Sequence, residues 1–215
     1  MTSKDFLDKC LLLDLETDGS KLFHIGAVFS GQTFERKGRF DLQTALHELD
    51  NFASGTDHIL GHNILGHDLP VLESLAPNLR LLLKPVVDTL YLSPLAFPEN
   101  PYHRLVKDYK LVRDSINDPV ADARLAASVL CDQWDSFTAL GETENDVLSF
   151  FRYCFDQSGN YSLRSAGLKD VFAALGAPHI AENDAFAIFQ AHAQDRACET
   201  AVVMVSSKYL LDPEK

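Results

Sequence analysis

Apolar and polar positions over the first forty residues predict three consecutive β-strands. The segment CLLLDLE at 10–16 is a short apolar run that ends in two acids, as in a buried central strand. A turn at Asp18-Gly19 precedes KLFHIGAVFSG, and a second turn at Gly31-Gln32 leads into the alternating segment TFERKGRF. The pattern therefore predicts a three-stranded meander at the start of the chain.

Helical and strand patterns then alternate as far as residue 134. The predicted elements are a helix over 42–52, a short strand over 58–63, a helix over 69–75, a strand or strand-to-helix junction over 85–92 and a helix over 120–134. Four prolines make 93–119 mostly loop, with a short helix around 102–109. This order predicts an α/β fold, a mixed sheet flanked by helices.

The pattern changes after Gly141, where strand signals cease. Three helical segments follow, at 146–155, 163–176 and 183–211. We therefore predict two units, a domain over 1–141 and a C-terminal helical appendage over 142–215 that packs on it.

The charge balance limits the ways in which this chain can bind other molecules. It has 19 Lys and Arg against 31 Asp and Glu, a net charge of −12. Such a balance argues against binding of the nucleic-acid backbone over a broad surface, because that kind of binding depends on basic side chains that release counterions. An enzyme that binds a few nucleotides through metal ions stays compatible with it.

The cysteines and the apolar runs predict where in the cell the protein is located. The four cysteines are scattered without a C-x-x-C pair, which is typical of reduced thiols in a cytoplasmic protein. No apolar run is fit for export or long enough to span a membrane. We therefore expect a cytoplasmic location and no membrane partner.

Two acids lie at the end of the first predicted strand. Asp14 and Glu16 are two positions apart, so both side chains point to one face while Leu13 and Leu15 point to the other. A buried strand rarely tolerates two neighbouring like charges unless they are paired or coordinate a metal. The alternative is that the strand is already exposed there.

Two further aspartates stand at the starts of predicted helices. Asp68 follows the short strand and opens a helix, where an N-cap is the simplest interpretation. Asp122 lies in a first helical turn on the same stripe as Leu125 and Val129. A favourable helix-dipole interaction of ~0.3–1 kcal/mol compensates little for a carboxylate on that stripe.

Together these acids form a D-x-E pair followed by two single aspartates, and the set resembles the DnaQ-like, or DEDD, superfamily of 3′→5′ exonucleases. LLLDLETDG resembles the first motif, HNILGHD the second, with Asn63 and Asp68, and DPVADARLA the third, with Asp122. VVDTLYL, which includes Asp88, resembles the stretch between the second and third motifs. The resemblance covers roughly residues 8–135.

The resemblance implies a ribonuclease-H-like fold and a site for two Mg²⁺ or Mn²⁺ ions held by Asp14, Glu16, Asp68 and Asp122. Carboxylates are suitable hard ligands for such ions. Two ions ~3.5–4 Å apart activate a water and stabilise the leaving 3′ oxygen of an in-line displacement. Asp14 would bridge both ions, Glu16 and Asp122 would complete the site of the attacking water, and Asp68 would hold the second ion.

The sequence departs from the family where a proton acceptor is expected. The family carries a His five positions before the last Asp, or a Tyr four before it, but Asn117 and Asp118 stand there. Asp118 is a candidate base, although an acid before Pro119 is also a common turn residue. His103, in the preceding loop, is the second candidate, or an ordinary surface residue.

Candidate substrate-binding residues are Thr17, Asn63 and Arg104. The first two lie in motif positions near the terminal nucleotide of related enzymes. Arg104 belongs to the basic run 103–113, which either contacts substrate phosphates or forms a solvated helix face. His62 and His67 are either metal ligands or hydrogen-bonded structural residues.

The sequence thus predicts a two-metal-ion 3′→5′ exonuclease acting on the 3′ end of single-stranded DNA. The alternatives are a catalytically weak module that binds nucleic acid or docks a partner, and 3′ trimming of RNA. A further resemblance to exonuclease modules fused to RecQ-type helicases implies a helicase domain or another repair protein as partner.

Overall fold

The computed structural model describes residues 1–19, 21–100, 118–157 and 166–191. The strands are β1 Cys10–Asp18, β2 Lys21–Phe29, β3 Gln32–Lys37, β4 His58–Gly61 and β5 Val86–Asp88. The α-helices are α1 Ser3–Leu7, α2 Leu42–Phe52, α3 Asp68–Leu75, α4 Thr89–Ala96, α5 Pro119–Thr143, α6 Asn145–Gln157, α7 Ala166–Ala174 and α8 Glu182–Ala191, with 3-10 turns at Ala53–Gly55 and Arg80–Leu83.

The five strands form one mixed sheet in the order β3-β2-β1-β4-β5. The predicted meander is confirmed, since β1 pairs antiparallel with β2 and β2 with β3. Strands β4 and β5 continue the sheet in parallel, β4 beside β1 and β5 beside β4. The predicted α/β class with a mixed sheet between helices is therefore confirmed.

The two faces of β1 belong to two different hydrophobic clusters. Leu11, Leu13 and Leu15 lie in a cluster with buried residues of α2 and α3. Cys10, on the other face, lies in a cluster with α5, α6 and α7. Because side chains alternate along a strand, Asp14 and Glu16 follow Cys10 onto the face that α5 covers.

Gly26 allows α5 to lie directly against the sheet. It is the cross-strand partner of Asp14. A Cβ atom at position 26 would overlap the backbone of Pro119 and Val120, and would lie 2.8 Å from the Cβ of Pro119. The missing side chain thus brings the first turn of α5 next to Asp14.

The helices beyond position 141 share a core with the sheet. Phe151 of α6 and Phe172 of α7 lie in the same buried cluster as Leu60 and Val87 of β4 and β5. A Cβ at Gly167 would overlap the backbone of Val86, so α7 packs closely on β5. The division at 141 stays a prediction, and α5 runs across it to Thr143.

Three elements differ from the predicted ones. Helix α1 was not predicted, and α4 extends through Pro94, where a loop was expected. Helix α5 does not end at Trp134. Gly141 lies within its last turn, where a Cβ would meet Cδ1 of Leu148 at 2.8 Å, so this glycine gives α6 room to pack.

Among the described residues, no helix is long and apolar enough to cross a membrane. The predicted helix around 102–109 and the end of the predicted helix 183–211 lie outside the described residues.

Candidate metal site

Asp14, Glu16 and Asp122 lie together on the sheet face that α5 covers, and we call them the acidic triad. One carboxylate oxygen of each lies within 4.8 Å of an oxygen of each of the others. All three residues are half-buried. The triad unites two residues of one strand with a residue that follows more than a hundred positions later.

The start of α5 fixes the position of Asp122. Asp118 is the N-cap, and its Oδ1 accepts hydrogen bonds from the N–H groups of Val120 and Ala121, both at 3.1 Å. Pro119 opens the helix, where its missing N–H is not needed. The backbone N–H of Asp122 donates to the carbonyl oxygen of Asp118 at 2.9 Å, within this first turn.

Asp68 lies beside the triad but has a different environment. Strand β4 pairs with β1 only as far as Leu12, so the edge of β1 is open beyond it. Oδ1 of Asp68 accepts the backbone N–H of Leu15 at 2.8 Å, where a continued β4 would have supplied a carbonyl oxygen. Burial raises the pKa of Asp68. The structure does not include it among the three mutually close carboxylates.

Asp88 holds the turn that leads to Asp68. It is fully buried at the end of β5 and accepts backbone N–H groups from Asn63 at 2.8 Å, Leu65 at 3.0 Å and Leu90 at 2.9 Å. Burial raises its pKa to about 6, against the effect of the three N–H donors. Asn63 itself adopts a left-handed conformation, with φ of 60°.

His67 links Asp68 with the end of β1. Its Nε2 lies 3.3 Å from Oγ1 of Thr17, and its Nδ1 lies 3.7 Å from Oδ2 of Asp68. The interaction with Asp68 raises the pKa of His67, and the negative charge of Glu16 adds to the effect. His67 therefore borders the site, which the sequence left open between a ligand and a structural residue.

A cleft of about 480 Å³ opens beside Glu16, lined also by Thr17, Asp18, Lys21 and Phe23; we call it the first cleft. The register of β1 and β2 shifts between Glu16 and Thr17, which leaves Phe23 as an extra residue without a partner in β1. Such bulges redirect side chains, often next to active sites. Phe23, the extra residue of this bulge, is one of the residues that line the cleft.

The remaining predicted residues are placed as follows. Asn63 is exposed in the turn after β4. His103, Arg104 and Asn117 lie outside the described residues.

The acidic triad fits a hard divalent cation. Oxygen ligands of an octahedral Mg²⁺ with ~2.1 Å bonds stand roughly 3–4 Å apart. The separations in the triad, within 4.8 Å, need only small side-chain adjustments to reach those values. Carboxylate oxygens are hard ligands, which suit a hard divalent cation.

Comparison with known protein families, with characterised proteins and with solved structures finds no match to this chain.

Proposed function

We propose that the chain is a metal-dependent 3′→5′ exonuclease of the DEDD type that hydrolyses the terminal phosphodiester bond of single-stranded DNA. The observation that carries the proposal is the acidic triad. Asp14, Glu16 and Asp122 come from two elements far apart in sequence and meet on one face of the sheet. The strand order β3-β2-β1-β4-β5, with α5 across β1 and β2, is compatible with a ribonuclease-H-like fold.

The triad would hold the divalent ions, with Asp68 at their border. When bound, Mg²⁺ or Mn²⁺ supplies an activated water and neutralises charge at the scissile phosphate. The hydrogen bond from the Leu15 N–H fixes Asp68 through its Oδ1. Its other oxygen, Oδ2, would be the one available to hold an ion, directly or through water.

The first cleft provides the place for the 3′-terminal nucleotide. Glu16, Lys21 and Phe23 are among the residues that line it. An aromatic ring offers a stacking surface to any base, and a lysine interacts with phosphate without regard to sequence. We therefore expect little base preference at the terminal position.

The proton acceptor is either Asp118 or His103. One oxygen of Asp118 is committed to the cap of α5, which reduces its capacity to act as a base. We therefore favour His103. The substitution Asp118→Asn tests this choice well, since asparagine caps a helix as effectively as aspartate but does not take up the proton.

One assay tests the proposal. A 5′-labelled single-stranded DNA and an RNA of the same sequence are incubated with Mn²⁺ and with wild type, Asp14→Ala or Asp135→Ala. We expect a ladder that shortens from the 3′ end with wild type and with Asp135→Ala, whose aspartate is exposed elsewhere on α5. Asp14→Ala should be inactive. Degradation by all three proteins, or by none, contradicts the proposal.

The same assay separates the alternatives. Preferential shortening of RNA would indicate RNA trimming, and tight binding without shortening would indicate a binding module. Among the base variants, we expect His103→Ala to lower kcat by about 10²–10⁴-fold. Asp118→Asn should have a much smaller effect.

A further inference from the structure

A second cleft of about 590 Å³ adjoins the first at Lys21, which lines both. Its other lining residues are Leu22, Gly38, Arg39, Phe40, Leu42 and Leu75. We propose that this second cleft binds the nucleotides that precede the terminal one in a single-stranded substrate. The inference rests on the proposed function. It adds that binding depends on the length of the substrate and that the single strand runs from the first cleft into the second.

The position of the second cleft follows from the fold. Gly38 ends the meander with a φ of 78°, and its N–H donates to the carbonyl oxygen of Phe23 at 2.9 Å. This bond holds the loop between β3 and α2 beside the start of β2. Leu75, the last residue of α3, closes the far wall. A strand whose 3′ end lies at Glu16 can thus continue past Lys21 into the second cleft.

Charge points to a phosphate-bearing occupant. The side chains of Lys21 and Arg39 are both exposed, and neither forms a hydrogen bond or ion pair with another residue in the described part of the chain. Lys21 also lines the first cleft together with Glu16 and Asp18. The lining of the second cleft contains no acid, although the protein as a whole carries a net charge of −12. Two exposed cations at a cleft whose lining contains no acid favour an anionic ligand.

The walls of the second cleft suit unstacked bases. Phe40, Leu42 and Leu75 are half-buried and pack against the hydrophobic cluster beneath the sheet, which keeps their surfaces in place. A basic groove with an aromatic ring and apolar walls is the usual combination for single strands. Bases within a duplex are already stacked and paired, so the cleft selects single strands over duplex ends.

The test uses two kinds of substrate. The p-nitrophenyl ester of thymidine 5′-monophosphate reaches only the first cleft, so its Mn²⁺-dependent hydrolysis by wild type and not by Asp14→Ala tests the proposed function alone. Oligo-dT of three and of ten nucleotides then tests the second cleft. For wild type we expect a KM about tenfold lower for the decamer than for the trimer.

Variants at Arg39 decide the inference. Arg39→Ala should flatten the length dependence of KM and lower the slope of log KM against log salt concentration by about 0.7, the value for one phosphate contact to a single strand. Arg39→Glu should raise the decamer KM further. The matched controls Lys9→Ala and Lys9→Glu change an exposed cation at the other end of β1 and should behave as wild type.

Each other outcome overturns the inference. If the ester is hydrolysed but the Arg39 variants keep the wild-type length dependence, the proposed function stands and the second cleft does not bind the strand. If an oligoglutamate peptide binds the wild type more tightly than oligo-dT and loses affinity in Arg39→Ala, the cleft binds an acidic peptide instead. If wild type hydrolyses neither ester nor oligonucleotide, the inference fails together with the proposed function.

Discussion

The acidic triad and the buried pair Asp68 and Asp88 place the same chemical group in two different settings at one end of the sheet. The two buried carboxylates accept backbone N–H groups, one from Leu15 and three around Asp88. The carboxylates of the triad face one another within 4.8 Å. Like charges at such distances repel by several kcal/mol at an effective dielectric constant of about 20.

This difference separates carboxylates that support the backbone from carboxylates suited to a cation. A buried carboxylate with N–H donors stabilises a turn or strand end whether or not a cation is bound. Carboxylates that face one another are stabilised when a divalent ion neutralises them. The predictions below test this division, from the largest expected effect to the smallest.

Asp88→Ala should lower the free energy of unfolding by about 3–5 kcal/mol, because three backbone N–H groups lose a fully buried acceptor. Urea unfolding measures it. The comparison is Asp14→Ala without divalent metal, which should lose less stability than Asp88→Ala, since it also relieves repulsion within the triad. Equal losses in the two variants would mean that the triad also serves the backbone.

A divalent cation should stabilise the wild type. At a Mn²⁺ concentration of about 100 times Kd, the gain is about 2.7 kcal/mol, and Tm rises by about 5–10 °C. Asp14→Asn should lose this shift in a thermal melt, while Asp135→Asn keeps it. A wild type whose Tm does not respond to Mn²⁺ or Mg²⁺ contradicts the metal site.

Gly26→Ala tests whether the approach of α5 assembles the triad. The added methyl group overlaps the backbone of Pro119 and Val120, which should cost about 1–3 kcal/mol of stability. It should also weaken the Mn²⁺-induced rise in Tm, because Asp122 moves away from Asp14. Gly55→Ala is the control, since its Cβ would meet only the ring of Phe29, with Cε1 at 3.4 Å and Cζ at 3.8 Å. An unchanged metal response in Gly26→Ala would refute this assembly.

His62 directly precedes Asn63, whose N–H Asp88 accepts, so its titration makes the stability of this region depend on pH. Its Nδ1 lies 2.9 Å from Oγ1 of Thr89, and burial lowers its pKa to about 4. Between pH ~6.5 and ~4 the unfolded chain binds a proton that the folded one does not, so stability falls as the pH falls through this window. Partial exposure limits the loss to about 1–2 kcal/mol.

His62→Asn should remove this pH dependence and keep the contact with Thr89, since the amide reaches the position of Nδ1. Urea unfolding at pH 4.5 and 7 measures it, with the metal response at pH 7 unchanged. An identical pH profile in wild type and His62→Asn would assign the effect to another group.

The regular elements with strong patterns could be predicted from the sequence. The meander, α2, β4 and α3 follow from alternation and from helical spacing. Helix α1 has only five residues, too few for a periodic signal, and its capping box between Thr2 and Asp5 is a local feature. Pro94 suggested a loop, but the burial of the α4 residues around it outweighs its helix-breaking effect.

The acids of the candidate site could be predicted from the sequence, but the residues around them could not. The spacing of Asp14 and Glu16 placed both on one face, where the structure has them. The bulge that exposes Phe23 and the cap formed by Asp118 depend on strand register and helix start, which the residue pattern does not specify. For the same reason the second cleft, built from three separate elements, gave no sequence signal.

The long sequence separation within the triad has a consequence for the order of folding. Asp14 and Glu16 belong to a hairpin of neighbouring residues, whereas Asp122 arrives only when α5 has docked on Gly26. Local pairings form sooner than contacts between distant segments, which require a large loop to close. If the triad binds a cation, as we propose, tight binding requires the completed tertiary structure. A nascent chain that has released only its first three strands would then gain no stability from the metal.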